Sequence, residues 1–226
     1  MKQATKIKKE KKKVLIVDDH PIVCAGLTHL INQEEDLAVC REAHTAHEAL
    51  ETIEEIEPDI AIVDVSLKGQ SGIELIKNIR IRYPELPILV FSIHDESIYS
   101  EITLRAGAKG YIMKQETSDK IITAIHRVLD GNIYISDRMA SKMLCKFFDN
   151  QPGKNGSPSE LLSDRELEVF RLIGMGFGTR QIANELFLGI KTIETYRAHI
   201  KKKLKLKNAS ELIKYAIQWV QSEKLF

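Results

Sequence analysis

Four short runs of apolar residues recur through the first part of the chain, and each stops at a polar side chain. Val14-Leu15-Ile16-Val17 stops at Asp18-Asp19, Ile60-Ala61-Ile62-Val63 at Asp64, Ile88-Leu89-Val90-Phe91 at Ser92, and Gly110-Tyr111-Ile112-Met113 at Lys114. A strand with one wet face alternates apolar and polar residues. A run with no polar position is covered on both faces, which calls for a parallel sheet with helices above and below it. A fifth strand is expected at residues 37–40. Helical patterns fill the gaps, at about 21–31, 46–56, 72–81, 97–106 and 118–129, with Pro21 suited to a first turn and Ser118 read as a cap. The N-terminal part is therefore expected to be α/β, a doubly wound five-stranded parallel sheet.

The pattern changes after residue 150. Residues 151–159 (QPGKNGSPS) hold two prolines, two glycines and no apolar side chain, which reads as a linker. Beyond it come four helical patterns, 164–175, 179–186, 191–204 and 210–221, and no strand pattern, so an all-α domain is expected. Its first helix opens on a capping box, Ser163 with Glu166 three residues on. The chain divides by charge as well. Residues 1–13 carry seven lysines against one glutamate, residues 14–157 carry nine more acids than bases, and residues 158–226 carry four more bases than acids. An acidic block joined to a basic one suggests two jobs, with a polyanion as the partner of the basic end.

The second and third C-terminal helices are separated by a short turn at Phe187-Leu188-Gly189, a spacing that suits a helix-turn-helix. At 100° per residue Ile193, Ile200 and Leu204 share one face of the third helix, with Tyr196 and Arg197 at its borders. The opposite face carries Lys191, Thr195, Ala198 and Lys202, with Thr192, Glu194 and His199 beside it. Such a mix of small, polar and basic groups fits a major-groove reader. Glu194 would accept from a cytosine, Thr195 and Ala198 would meet a thymine methyl, and Lys191, Lys201, Lys202, Lys203 and Lys205 would serve phosphates. Double-stranded DNA is the expected partner. The apolar positions of the last helix, Leu212, Ile213, Ala216, Ile217 and Val220, suit either internal packing or a dimer contact.

In a parallel sheet, sites form at the carboxyl ends of the strands. Asp18, Asp19, Asp64, Ser92 and Lys114 would all converge there. Clustered carboxylates are a hard-oxygen site for Mg²⁺, and with a cation and a lysine to neutralise developing charge one carboxylate can accept a phosphoryl group.

The segments VDDHP, VDVSLKGQSG, VFSIHD and GYIMK together make residues 14–130 resemble a response-regulator receiver domain. Residues 162–216 resemble a LuxR-type helix-turn-helix, and the two together resemble the NarL/FixJ type of response regulator. The resemblance covers about nine-tenths of the chain. It implies a flavodoxin-like fold, Asp64 as phosphoacceptor, Asp18, Asp19 and the Ser66 backbone carbonyl as metal ligands with Asp64, Ser92 as switch hydroxyl, Tyr111 as switch aromatic and Lys114 as the phosphate-binding lysine. It also implies a sensor histidine kinase as partner and the last helix as dimer contact. Lys68 stands where the family usually has proline, and Cys24 where many relatives have arginine. His20 and His94 flank the site and are read as loop residues.

The expected division is a basic tail (1–13), a receiver (14–131), a linker (132–159) and a DNA-binding domain (160–226). On this reading the chain is a regulator rather than an enzyme, apart from self-catalysed phosphorylation and dephosphorylation. Phosphorylation draws Ser92 and Lys114 toward Asp64 and turns Tyr111 inward. It frees a recognition helix that the acidic half covers at rest, and a homodimer then binds two half-sites. Full reversal of a 1:99 equilibrium takes about 5.5 kcal/mol. Two other classes compete. An Mg²⁺-dependent phosphohydrolase would need a second acid two residues after its nucleophile, where this chain has Ser66. A DNA-binding protein with an inert receiver would have no use for the full acid, hydroxyl and lysine set. No apolar run approaches the roughly 18 residues of a membrane span, and the charged N-terminus lacks a signal-like apolar core. Three scattered cysteines, Cys24, Cys40 and Cys145, read as free thiols, and the cytoplasm is the expected location.

Overall fold

The computed structural model describes residues 10–67, 70–149 and 158–224. Lys68, residues 1–9 of the basic tail and residues 150–157 of the linker lie outside the described residues. The chain splits into two compact units, Met1–Ser136 and Asp137–Phe226.

In the first unit the elements run β1 (Lys12–Val17), α1 (Pro21–Asn32), β2 (Leu37–Ala43), α2 (Ala46–Ile56), β3 (Ile60–Val63), a two-residue antiparallel pair β4 (Ser66–Leu67) and β5 (Gln70–Ser71), α3 (Gly72–Arg82), β6 (Ile88–Ser92), α4 (Glu96–Ala106), β7 (Gly110–Met113) and α5 (Ser118–Leu129). The five long strands are all parallel, in the order β2-β1-β3-β6-β7. That is the flavodoxin-like order, with the topological switch point between β1 and β3. Val14, Leu15, Ile16 and Val17 are all fully buried, as are Ile60, Ala61 and Val63. Val14 and Ile16 belong to the cluster that α1 and α5 close through Leu27, Ile31, Ile121, Ile125 and Val128. Leu15 and Val17 alternate to the other face by the two-residue period of a strand.

Several boundaries differ from the sequence reading. The cap of α5 is Thr117 rather than Ser118, which is the first helical residue, and Thr117 makes no side-chain capping bond. The β4–β5 pair, unforeseen, is too short for any periodicity. It leads straight into α3 at Gly72, where a Cβ would lie 2.0 Å from the Asp64 carbonyl oxygen. Only glycine lets the helix start so close to the loop that carries Asp64.

The second unit is all-helical: α6 (Asp137–Asp149), α7 (Pro158–Leu161), α8 (Asp164–Gly174), α9 (Thr179–Glu185), α10 (Ile190–Lys203) and α11 (Ala209–Lys224). Helix α6 lies inside the segment 132–159 read as linker, so that segment is not wholly irregular. Helix α8 is central and packs on α9, α10 and α11. Its Phe170 ring sits 5.8 Å from Tyr215 and 5.5 Å from Trp219, and the Arg171 guanidinium lies 5.0 Å over the Trp219 ring. The Ser163–Glu166 capping box is formed in full. Among the described residues no helix is long and apolar enough to cross a membrane.

Candidate functional site

Register brings the acids together. Val17 pairs with Val63, Val63 with Val90, and Ser92 with Met113. Backbone bonds carry the ladder one step past the strand ends, with Asp64 N–H donating to Val17 O at 2.9 Å and Lys114 N–H to Ser92 O at 2.8 Å. Asp18, Asp64 and Ser92 are thus presented at one edge, with exposures of 2%, 2% and 0%. The Lys114 ammonium ties them, donating to Asp18 Oδ2 at 2.6 Å and to Asp64 Oδ2 at 2.8 Å. Burial alone would lower the Lys114 pKa, but the two carboxylates outweigh it and hold the ammonium above its ordinary value. Burial pushes the Asp64 carboxyl up, Asp18 adds to the push, and Lys114 opposes it.

Two carboxylates therefore share one ammonium, and one carboxylate oxygen, Asp64 Oδ1, is buried with no hydrogen-bond partner among the described residues. A buried acceptor left so is costly unless something else satisfies it. Asp18, Asp19, His20 and Asp64 each offer a ligand atom, and the four atoms lie within 4.8 Å of one another. The donor set fits a divalent cation. Ser66 can join it. Gly72 N–H bonds Val65 O, so the intervening Ser66–Ser71 pair falls at a non-hydrogen-bonded position and leaves the Ser66 carbonyl outside the ladder.

The loop after β6 adds contacts that the sequence did not disclose. His94 N–H donates to Ser92 Oγ at 3.3 Å, its ring Nε2 is 2.6 Å from Ser66 Oγ, and its ring stacks on Tyr99 with centroids 4.5 Å apart. The Tyr111 hydroxyl donates to the His94 carbonyl at 2.9 Å, and the ring is 1% exposed. The ring is thus inward in this structure. Cys24 is nearer the site than expected: its buried thiol donates to the Asp18 carbonyl at 3.4 Å. Burial, with Asp18 and Glu42 adding to it, pushes that thiol up to about 11. All three cysteines are free.

On α10, Ile193 and Ile200 are fully buried, while Lys191, Thr192, Glu194, Thr195, Ala198, His199, Lys202 and, just beyond the helix, Lys205 are exposed. The expected reading face is thus presented as a surface, with Lys201 half-buried at its margin. Lys203 departs from its expected role. Its ammonium is 2.6 Å from Glu166 Oε2, so it locks α10 to the first turn of α8.

The chain has clear relatives. Residues 14–126 match the response regulator receiver domain, and residues 160–216 match the luxR family of bacterial regulatory proteins. The chain is 35% identical over 210 residues to the oxygen regulatory protein NreC of Staphylococcus carnosus (strain TM300), an alignment covering 91% of this chain and 97% of that protein. It is similar to RcsB from Salmonella enterica serovar Typhimurium bound to promoter rprA in the presence of phosphomimetic BeF3-, with TM-score 0.61 and 26% identity over 92% of this chain and 98% of that one. A structure of two RcsB dimers bound to two parallel DNAs is similar at TM-score 0.57 and 27% identity, over 91% of this chain and 98% of that one.

Proposed function

The chain belongs to the response regulators that join a receiver domain to a luxR-family domain and control transcription, and we propose that phosphorylation of Asp64 by a sensor histidine kinase controls sequence-specific DNA binding by α10. The observation that carries this reading is the surroundings of Asp64: one carboxylate oxygen on Lys114, the other buried and unpartnered, and two further acids beside it.

In the proposed step an Asp64 oxygen attacks phosphorus, an O–P bond forms, and the P–N bond of a phosphohistidine breaks, returning its electron pair to the imidazole. Asp18, Asp19, Asp64 and the Ser66 carbonyl would hold Mg²⁺, which when bound neutralises charge on the transferred group. Lys114 stays close enough to move from its carboxylates to a phosphoryl oxygen, and the Ser92 hydroxyl donates to another. The same groups would let a small phosphodonor such as acetyl phosphate serve, and would support slow self-dephosphorylation. The product adds roughly −1.5 to −2 charges to a pocket already rich in negative charge.

For DNA, Glu194, Thr195 and Ala198 are the base-reading candidates. Lys191, Lys201, Lys202, Lys205 and Thr192 are the phosphate-facing ones. We propose a homodimer on DNA. Of the five apolar positions on α11, Leu212 and Ala216 are fully buried in the unit's own core and Val220 lies against Gly174 of α8, which leaves Ile213, 41% exposed, and Ile217 for a partner. The proposed division keeps residues 14–131 as receiver and 160–226 as DNA-binding domain, joined by 132–159 and preceded by a basic tail, 1–13. The proposed location is the cytoplasm.

The test has two stages. Acetyl phosphate with Mg²⁺ should place an acid-stable, base-labile phosphate on the wild type and none on Asp64→Ala. Genomic DNA fragments retained by the phosphorylated protein should then shift at lower protein concentration with phosphodonor than without it, and Asp64→Ala should not respond. Equal affinity in all four lanes removes Asp64 from control.

A further inference from the structure

Of the four groups that offer a ligand atom in the pocket at the strand ends, His20 alone has no part in the proposed Mg²⁺ site. The His20 Nδ1 lies 2.8 Å from Asp19 Oδ1 and 3.1 Å from Asp18 Oδ1. We infer that His20 is a direct ligand of the pocket cation, and that the site therefore takes a borderline divalent ion such as Mn²⁺, Co²⁺ or Zn²⁺ more tightly than Mg²⁺. The inference rests on reading the pocket as a cation site.

Three observations carry it. The first is distance: one donor atom from each of Asp18, Asp19, His20 and Asp64 lies within 4.8 Å of the others. Bonds of about 2.0–2.2 Å put two ligands of one ion at most about 4.4 Å apart, so a few tenths of an ångström of closure suffices. The second is the buried, unpartnered Asp64 Oδ1, an acceptor that lacks a positive partner within the fold. The third is how firmly His20 is seated. It is the N-cap of α1, with Pro21 fixing the next backbone angle, and its own N–H donates to Asp18 Oδ1 at 2.9 Å. The imidazole is thus held against the acids even though its side chain is 56% exposed.

The chemistry then selects the ion. Mg²⁺ takes oxygen ligands and keeps its waters, whereas Mn²⁺ through Zn²⁺ accept imidazole nitrogen. Binding requires the tautomer with the proton on Nε2, leaving the Nδ1 lone pair for the metal. A merely structural His20 would instead keep its proton on Nδ1 and donate to the two aspartates.

Pulsed EPR on the full chain loaded with Mn²⁺ separates the two roles. The expected result is nitrogen modulation from one imidazole in the wild type, lost in both His20→Ala and His20→Gln. Titration should show Mn²⁺ bound about tenfold or more weaker by His20→Ala, with Mg²⁺ affinity kept within about twofold. Mn²⁺ bound at Asp64 with no nitrogen modulation, or with unchanged affinity in His20→Ala, overturns the role of His20 and leaves the acid pocket standing. If the wild type binds neither ion, or Asp64→Ala binds Mn²⁺ as well as the wild type does, the pocket reading falls and takes this inference with it. His20 is largely exposed, so circular dichroism of both variants should match the wild type.

Discussion

Replacing Glu166 by glutamine isolates one charge that holds α10 in place. The Glu166 carboxylate is nearly buried, accepts from Ser163 N–H at 2.8 Å to close the cap of α8, and meets the Lys203 ammonium of α10 at 2.6 Å, with His199 Nδ1 at 4.0 Å. Glutamine can still accept from Ser163 N–H, since a capping box tolerates either residue. What disappears is the charge facing Lys203. A hydrogen bond to a charged group contributes about 1.5–3 kcal/mol. The Lys203 side chain is 43% exposed, so solvent screening reduces this to about 1 kcal/mol. With a urea slope of about 1.5 kcal/mol/M for a unit of this size, the midpoint should fall by about 0.7 M.

The assay can use the full chain because its single tryptophan, Trp219, lies in the second unit against Phe170 and reports that unit alone. The pH dependence has a definite sign. Burial would raise the Glu166 pKa, but Lys203 and Ser163 outweigh it, and the folded value lies below the ordinary 4.5. A depressed carboxyl contributes stability that is present above its unfolded pKa and is lost as pH falls through the folded one. The gap between wild type and Glu166→Gln should therefore be full at pH 7 and close on acidification below about pH 4. Equal midpoints at pH 7, or a gap that persists undiminished at pH 3, would refute the assignment of the Glu166–Lys203 pair.

Gly72→Ala puts a methyl group 2.0 Å from the Asp64 carbonyl oxygen and 2.8 Å from Val65 Cα, neither of which can swing aside. It should cost about 1–3 kcal/mol in thermal or urea stability and reduce phosphate incorporation from acetyl phosphate, and wild-type behaviour in both would show that the loop yields freely. Cys24, with its thiol pushed up to about 11, should resist iodoacetamide at pH 8 in the native chain, while exposed Cys145 is labelled. Peptide mass spectrometry checks the order, and equal native labelling would contradict the burial of Cys24. Lys202→Ala should lower the slope of log affinity against log salt by about 1. Lys203→Ala should change that slope less, because its ammonium already has an acid partner. The opposite order in DNA titrations would reverse the roles given to the two lysines.

The sheet was legible because runs such as Val14–Val17 and Ile60–Val63 leave no polar position for a wet face, and the site was legible because a polar residue ends each run. The exposed face of α10 followed from Ile193 and Ile200 at helical spacing. What escaped the sequence depended on partners distant along the chain or on side-chain direction. Lys203 looked like one more surface lysine, and its partner Glu166 stands 37 residues earlier. The inward ring of Tyr111 is a rotamer, fixed by a carbonyl in the loop after β6. Gly72 read as an ordinary helix start, since nothing in its neighbours discloses how closely the Asp64 carbonyl approaches. Helix α6 was submerged in a segment searched for a boundary. His20 was in plain view beside Asp18-Asp19, and the signal that would have found it is its adjacency to the acid pair.

The contacts around Ser92 indicate how a charge placed on Asp64 would be felt away from it. A serine hydroxyl can donate one hydrogen bond while accepting another. On the proposed mechanism Ser92 donates to a phosphoryl oxygen and keeps accepting from His94 N–H, so any movement of Ser92 toward Asp64 pulls on His94. That residue also carries the Tyr111 anchor on its carbonyl, the Ser66 contact on its ring nitrogen and the Tyr99 stack on its ring face. Four groups, from β4, β6, β7 and α4, thus converge on one loop residue. A displacement of the loop after β6 and the start of α4 would therefore pass through His94.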